Sequence, residues 1–143
     1  KYLSFVHSGR GMSNNLFPEF KNFIKDKQVG LLVNNVGISY PFCQYFHELD
    51  DERVEQLITL NVTSTTLMTR LVLPGMLESK KGAIINISSA AGRQCAPLLS
   101  QYSAAKGYID KFSISLAAEL QSKGISVQSQ SPFWVTTKLA KVR

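Results

Sequence analysis

The chain has two cysteines in 143 residues, no run of 18 apolar residues, and no glycine where a dinucleotide fingerprint needs its third. Cys43 and Cys95 fall in predicted loops without metal-ligand spacing, which argues against a metal site and for reduced thiols of an intracellular protein. The lack of a long apolar run or a signal peptide excludes a membrane span or secretory leader within this stretch. Residue 1 is Lys rather than Met, so that exclusion does not extend to a longer parent. Gly9 and Gly11 open a glycine pattern, but position 14 is Asn14, so the loop is read as plain punctuation. There is no internal repeat, low-complexity linker or nucleic-acid motif. The net charge of +6 is spread out, with Lys21, Lys25, Lys27, Lys80, Lys81, Lys138, Lys141 and Arg143 among its cations, as on a solvated basic face, the alternative being attraction to phosphate-bearing ligands or an anionic surface. What remains is a globular composition, 44% hydrophobic and 18% charged, and a length of one domain at most.

Periodicity supplies the elements. Residues 2–7 form a short candidate strand. Phe17, Phe20, Phe23 and Ile24 predict a helix over 16–28. GLLVNN at 30–35 predicts a strand buried on both faces, as in a parallel sheet. Its carboxyl end, Asn34-Asn35-Val36-Gly37, is either a strand-ending turn or a place where a cofactor approaches closely. Tyr40, Phe42, Tyr45 and Phe46 crowd the next loop, as a wall beside a ligand or as packing under a lid or subunit contact. A helical stretch is predicted from Asp51 to Glu78, capped by Asp50 or Asp51, interrupted at Pro74 and stopped at Gly82. Asn61 lies within it, either satisfied structurally or holding a water for proton transfer. A second buried strand follows at 83–88. The third helix, over 101–123, has apolar residues at Ala105, Ile109, Phe112, Leu116 and Leu120 and a stop at Gly124. A third strand covers 125–130. Strands alternating with helices predict βαβ units and a parallel sheet with helices on both faces.

The chemistry concentrates between Ile84 and Lys106. Tyr102 and Lys106 are four apart and share a helix face. Ser89 lies thirteen residues before Tyr102, enough chain to leave a strand end and enter a neighbouring helix. A phenol has an unperturbed pKa of about 10, and a nearby ammonium favours the phenolate. A serine hydroxyl beside such a phenol can hold a carbonyl. The group suits a reaction that moves a proton onto or off an oxygen.

NNVG at 34–37, Asn61, NISS at 86–89, YSAAK at 102–106 and the Pro132–Thr137 segment together resemble the short-chain dehydrogenase/reductase family. The resemblance implies a catalytic tetrad of Asn61, Ser89, Tyr102 and Lys106, with Ser89 chosen over Ser88 by its separation from Tyr102. It implies cofactor contacts at Asn35, Gly37, Asn61, Tyr102, Lys106, Val135 and Thr137. LLVNNVGISYP at 31–41, QYSAAKGYIDKFSISLAAEL at 101–120 and TTKLAKVR at 136–143 are most similar to the branch of 17β-hydroxysteroid dehydrogenases and very-long-chain 3-oxoacyl-CoA reductases. Two departures stand out. Pro132 is followed by Phe133 rather than the family's glycine, and the glycine-rich phosphate loop is absent. The implied fold is a Rossmann-like doubly wound parallel sheet that is partial, lacking its N-terminal glycine-rich βα units and its C-terminal substrate segment. Residues 1–143 would form one partial catalytic domain.

The implied function is NADP(H)-dependent reduction of a 3-oxoacyl-CoA or 17-ketosteroid carbonyl, with Tyr102 as proton donor and NAD(H) left open. The alternative is a catalytically silent binding or scaffolding module, or an inactive fragment. The implied partners are an apolar small molecule or acyl-CoA, no nucleic acid, and a second copy of the chain through the helices at 51–78 and 101–123. Membrane association through a missing N-terminal segment would place the parent at the endoplasmic reticulum membrane, and otherwise in the cytoplasm. Without a phosphate loop the isolated chain is expected to be a poor enzyme, with a bare apolar edge on the strand at 30–35.

Overall fold

Two short runs rich in Leu, Val and Ile and a third that alternates apolar with polar residues at its start form parallel strands β1 (Leu31–Asn34), β2 (Gly82–Ile87) and β3 (Ile125–Gln130), in the order β1-β2-β3. The computed structural model describes residues 16–133. The predicted strand at 2–7, the glycine-containing loop after it, and Val135 and Thr137 lie outside the described residues. In register, Asn34 sits opposite Asn86, and Asn86 opposite Ser129. The helices are α1 (Leu16–Ile24), α2 (Asp51–Ile58), α3 (Ser64–Ser79) and α4 (Ser100–Leu120).

Among the described residues β1 does not bury both faces, contrary to its apolar run. Side chains alternate across a strand. Ile84 and Asn86 are completely covered, while Leu31 and Val33 on the opposite side of the sheet are 51% and 49% exposed. Helices α3 and α4 both lie over the covered face. Asn34 donates to Thr69 Oγ1 of α3 at 3.1 Å and to Asn86 Oδ1 at 2.8 Å, and Asn86 Nδ2 donates to Ser113 Oγ of α4 at 2.9 Å. The core on that face is Val72, Met76, Ile84, Leu116, Leu120 and Ile125. Burying each of its larger members contributes roughly 2 kcal/mol.

The long predicted helix from Asp51 is two helices joined by a π-helical turn, Thr59–Thr63. Its start is as expected, with the Asp50 side chain accepting from Arg53 N. The break lies at Asn61, not Pro74. Asn61 Nδ2 donates to Leu57 O, the acceptor that an α-helical Asn61 N–H would use, and Ser64 N reaches back five residues to Thr59 O. Hydroxyls then serve the loosened carbonyls: Ser64 to Leu60 O, Thr65 to Asn61 O and Thr66 to Val62 O. Helix α3 runs through Pro74, which faces solvent, where water can meet the freed carbonyl. Its left-handed cap is Lys80 (φ 51°) rather than Gly82. Gly82 instead opens β2, where a Cβ would fall 2.6 Å from Met76 Sδ. Helix α1 stops at Ile24, short of the predicted 28. On α4 the buried stripe is Ala105, Ile109, Ser113, Leu116 and Leu120, so Ser113 takes the place predicted for Phe112. Phe112 packs half-buried against the core. Gly124 does end that helical segment (φ 74°), and a Cβ there would meet Lys80 O.

Candidate active site

The loop after β1, the π-helical turn and the first two turns of α4 bring Gly37, Asn61, Tyr102 and Lys106 together, and Ser89 follows the end of β2. Lys106 is the anchor. Its side chain is buried, and Nζ donates to Ile87 O at 2.9 Å, beside the Tyr102 ring at 5.8 Å from the centroid. Burial pulls its pKa down from the ordinary lysine value to about 8. Tyr102, one turn earlier, is half-buried.

The two serines after β2 separate cleanly. Ser88 is buried, and its hydroxyl donates to Lys106 O at 2.7 Å, fastening the strand end to α4. Ser89 is half-buried and opens a 3-10 turn, Ala90–Gly92, its Oγ accepting from Ala91 N at 3.2 Å. That acceptance leaves the Ser89 hydroxyl proton free to donate. The turn is pressed onto α4 by small residues. A Cβ on Gly92 would lie 2.6 Å from Gly107 N and from the Lys106 carbonyl carbon. Ser103 Oγ donates to Ala91 O at 2.6 Å, and Ala90 N donates to Pro132 O at 3.0 Å. Arg93 closes the turn with a two-point contact to Asp110 at 2.9 and 3.2 Å. The Arg93 guanidinium, helped by the Ser129 hydroxyl, holds the Asp110 carboxyl below its usual range.

Asn61 is buried and acts as a brace. It accepts from Ile38 N at 3.2 Å and donates to Ile38 O at 3.0 Å as well as to Leu57 O. One lone pair of Oδ1 is left for a water. Gly37 lies against both groups: a Cβ there would come 2.6 Å from Asn61 Oδ1 and 3.3 Å from Lys106 Nζ. A glycine is therefore needed for the loop after β1 to pass between them. Asn35 is not part of this cluster; it sits exposed just past β1. Of the four loop aromatics only Tyr40 is buried, and Phe42, Tyr45 and Phe46 are exposed. Both cysteines are free and exposed, and no metal-capable cluster of His, Cys, Asp or Glu occurs among the described residues.

Several contributors were not foreseen. Gly92 and Gly107 carried no turn signal that spacing would reveal. Asn34 and Asn86 were visible as polar residues ending or interrupting apolar runs, and their pairing follows from the strand register. Arg93 and Asp110 are seventeen residues apart and offered no local pattern.

The sequence model of a family described as short chain dehydrogenase matches residues 15–143. The very-long-chain 3-oxoacyl-CoA reductase of Rattus norvegicus is 49% identical over 132 residues, covering 91% of this chain and 42% of that protein. A Homo sapiens protein named inactive hydroxysteroid dehydrogenase-like protein 1 is 46% identical over 124 residues, covering 87% of this chain and 38% of that protein. Among solved structures, a short-chain dehydrogenase from Sphingobium yanoikuyae in complex with NADPH superposes with a TM-score of 0.80 at 32% identity, covering 86% of this chain and 48% of that one. The chain thus spans less than half the length of the relatives it matches.

Proposed function

Because the chain belongs to the short-chain dehydrogenase family, in the branch of the very-long-chain 3-oxoacyl-CoA reductases, we propose that it carries the proton-handling half of an NADP(H)-dependent carbonyl reductase. The substrate we propose is a 3-oxoacyl thioester or a ketosteroid of similar apolarity. The observation that carries the proposal is Lys106: a buried ammonium, desolvated to a pKa of about 8, beside the ring of a half-buried tyrosine. No packing need explains a lysine there, because burying its charge opposes folding.

The residues fit a nicotinamide cofactor on this side of the site. Lys106 Nζ has three protons and spends one on Ile87 O, so two can reach a ribose. Gly37 keeps the backbone low beside it. Asn35, Val135 and Thr137 complete the proposed cofactor contacts. The bound cofactor supplies the hydride. Everything else falls to the chain. Ser89 donates a hydrogen bond to the carbonyl oxygen and stabilises the charge that develops there. Tyr102 gives its proton to that oxygen in reduction and takes it back in oxidation. The Lys106 ammonium lies beside the Tyr102 ring, and the free Oδ1 lone pair of Asn61 holds a water that returns a proton toward Lys106.

The same proposal makes residues 1–143 a single partial Rossmann-like catalytic domain. It includes a homodimer, supported by exposed Ile58 on α2 and exposed Tyr108 and Ile114 on α4. It also includes an endoplasmic-reticulum location, following the branch; among the described residues no helix is long and apolar enough to cross a membrane.

The similarity to a relative named inactive supports a second possibility, a silent module that keeps the fold. Tyr102→Phe in the whole protein separates the two. A reductase loses roughly 10³-fold in kcat with its fold intact. Carbonyl reduction that is absent in the wild type would favour the silent module, and reduction untouched by the change would refute Tyr102 as the proton donor.

A further inference from the structure

Helix α4, which presents Tyr102 in its first turn, begins without a cap of its own. The residue before it, Leu99, sits at φ −135° and ψ 26° and makes no side-chain cap hydrogen bond. Leu98 before that is left-handed at φ 64°, a conformation that a branched apolar side chain adopts only under constraint. The first N–H groups of a helix need outside acceptors, and an uncapped first turn frays. One acceptor comes from the loop after β1. Gln101 N, immediately before Tyr102, donates to the Tyr40 hydroxyl oxygen at 3.0 Å. Tyr40 is 6% exposed, whereas Phe42, Tyr45 and Phe46 of the same loop are 54% exposed or more. Four residues later, Gln44 N donates to Leu98 O at 3.2 Å. Two residues before Tyr40, Asn61 grips both backbone groups of Ile38. The loop is therefore clamped on the Asn61 side and delivers a phenol to the start of the Tyr102 helix.

We propose that Tyr40 is a positioning residue, its hydroxyl replacing the missing cap of α4 and fixing the turn that aims Tyr102, so that Asn61 acts on Tyr102 partly through this loop. The inference rests on the reductase function proposed above. A phenylalanine at position 40 keeps the ring packed and removes only the acceptor.

The test is a double-mutant cycle in the whole protein, with Tyr40→Phe made in wild-type and in Tyr102→Phe backgrounds and followed by NADPH consumption. Tyr40→Phe alone is expected to lower kcat about tenfold, by misplacing the proton donor, with KM for NADPH unchanged. It is expected to add nothing once Tyr102 is already Phe. A readout independent of activity accompanies it: the Gln101 amide should exchange with solvent about tenfold faster in Tyr40→Phe, while the Leu116 amide is unaffected. Equal losses in both backgrounds, or an unchanged Gln101 exchange rate, overturn the proposal. If Tyr102→Phe itself leaves kcat intact, the role of Tyr102 as proton donor has failed instead, and the Gln101 amide still decides whether Tyr40 is the cap.

Discussion

Replacing Lys106 with methionine should remove the proposed function and, at neutral pH, leave the protein as stable or more stable. The lysine titrates at its ordinary 10.5 when unfolded and at about 8 when folded, because its ammonium is buried. Below pH 8 the folded protein carries that strain in full, about 3 kcal/mol for a difference of this size. Between the two values the unfolded state binds more protons, so stability rises with pH and the strain disappears above 10.5. Methionine has a similar length and no charge. It loses the bond to Ile87 O, and an unpaired carbonyl costs about 1–3 kcal/mol. The variant should thus lie between equal stability and a gain of about 2 kcal/mol at pH 7. The sharper quantity is the pH dependence, in which the fixed cost of the lost bond cancels. From pH 7 to pH 9.5 the stability of wild type relative to Lys106→Met should rise by about 2 kcal/mol. Urea unfolding of both proteins at pH 7, 8.5 and 9.5 measures it. A stability difference that stays flat with pH would mean that the buried ammonium is not strained, and would remove the main support for its role.

Two other substitutions probe the turn after β2. Ser88→Ala should cost about 1 kcal/mol of stability, since its hydroxyl bonds Lys106 O in the interior. Ser89→Ala should leave unfolding nearly unchanged and lower kcat about 10²-fold, in the manner of a lost oxyanion donor; paired melts and turnover assays would reveal a reversal of the two serines. Gly92→Ala forces a methyl against the backbone of Lys106 and Gly107, and should cost about 2 kcal/mol of stability as the turn lifts. A melting temperature equal to wild type for Gly92→Ala would show that the turn is not pressed onto α4.

Much of the architecture was legible because it follows apolar periodicity. The limits of β2, β3 and α4 lie within one to three residues of those expected, since Ile84, Ile109, Leu116, Leu120 and Ile125 mark them. Where polar groups decide the backbone, periodicity is silent. It cannot show that Asn61 would take the carbonyl of Leu57, that a Ser-Thr-Thr run would serve the next three carbonyls, or that the break would therefore fall at 59–63 rather than at Pro74. It also placed Phe112 on the buried stripe of α4, where Ser113 sits to meet Asn86. Two-sided burial of β1 was inferred from its composition, yet Leu31 and Val33 stand on a face that the described residues leave open. At the site, spacing put Tyr102 and Lys106 on one helix face because a helix has fixed geometry, and the two do lie together. The tertiary contacts that hold them, Gly92 on Gly107, Arg93 on Asp110 and Tyr40 on Gln101, join segments distant in the chain and leave no mark at short range.

We propose that Tyr102, beside buried Lys106, hands the proton to a carbonyl oxygen held by Ser89. The most direct measurement is single-turnover reduction of a 3-oxoacyl thioester by the whole protein with NADPH, comparing wild type with Tyr102→Phe. A rate lower by roughly 10³-fold in the variant, with unchanged NADPH binding, is the expected result. Rates within twofold of each other would contradict it.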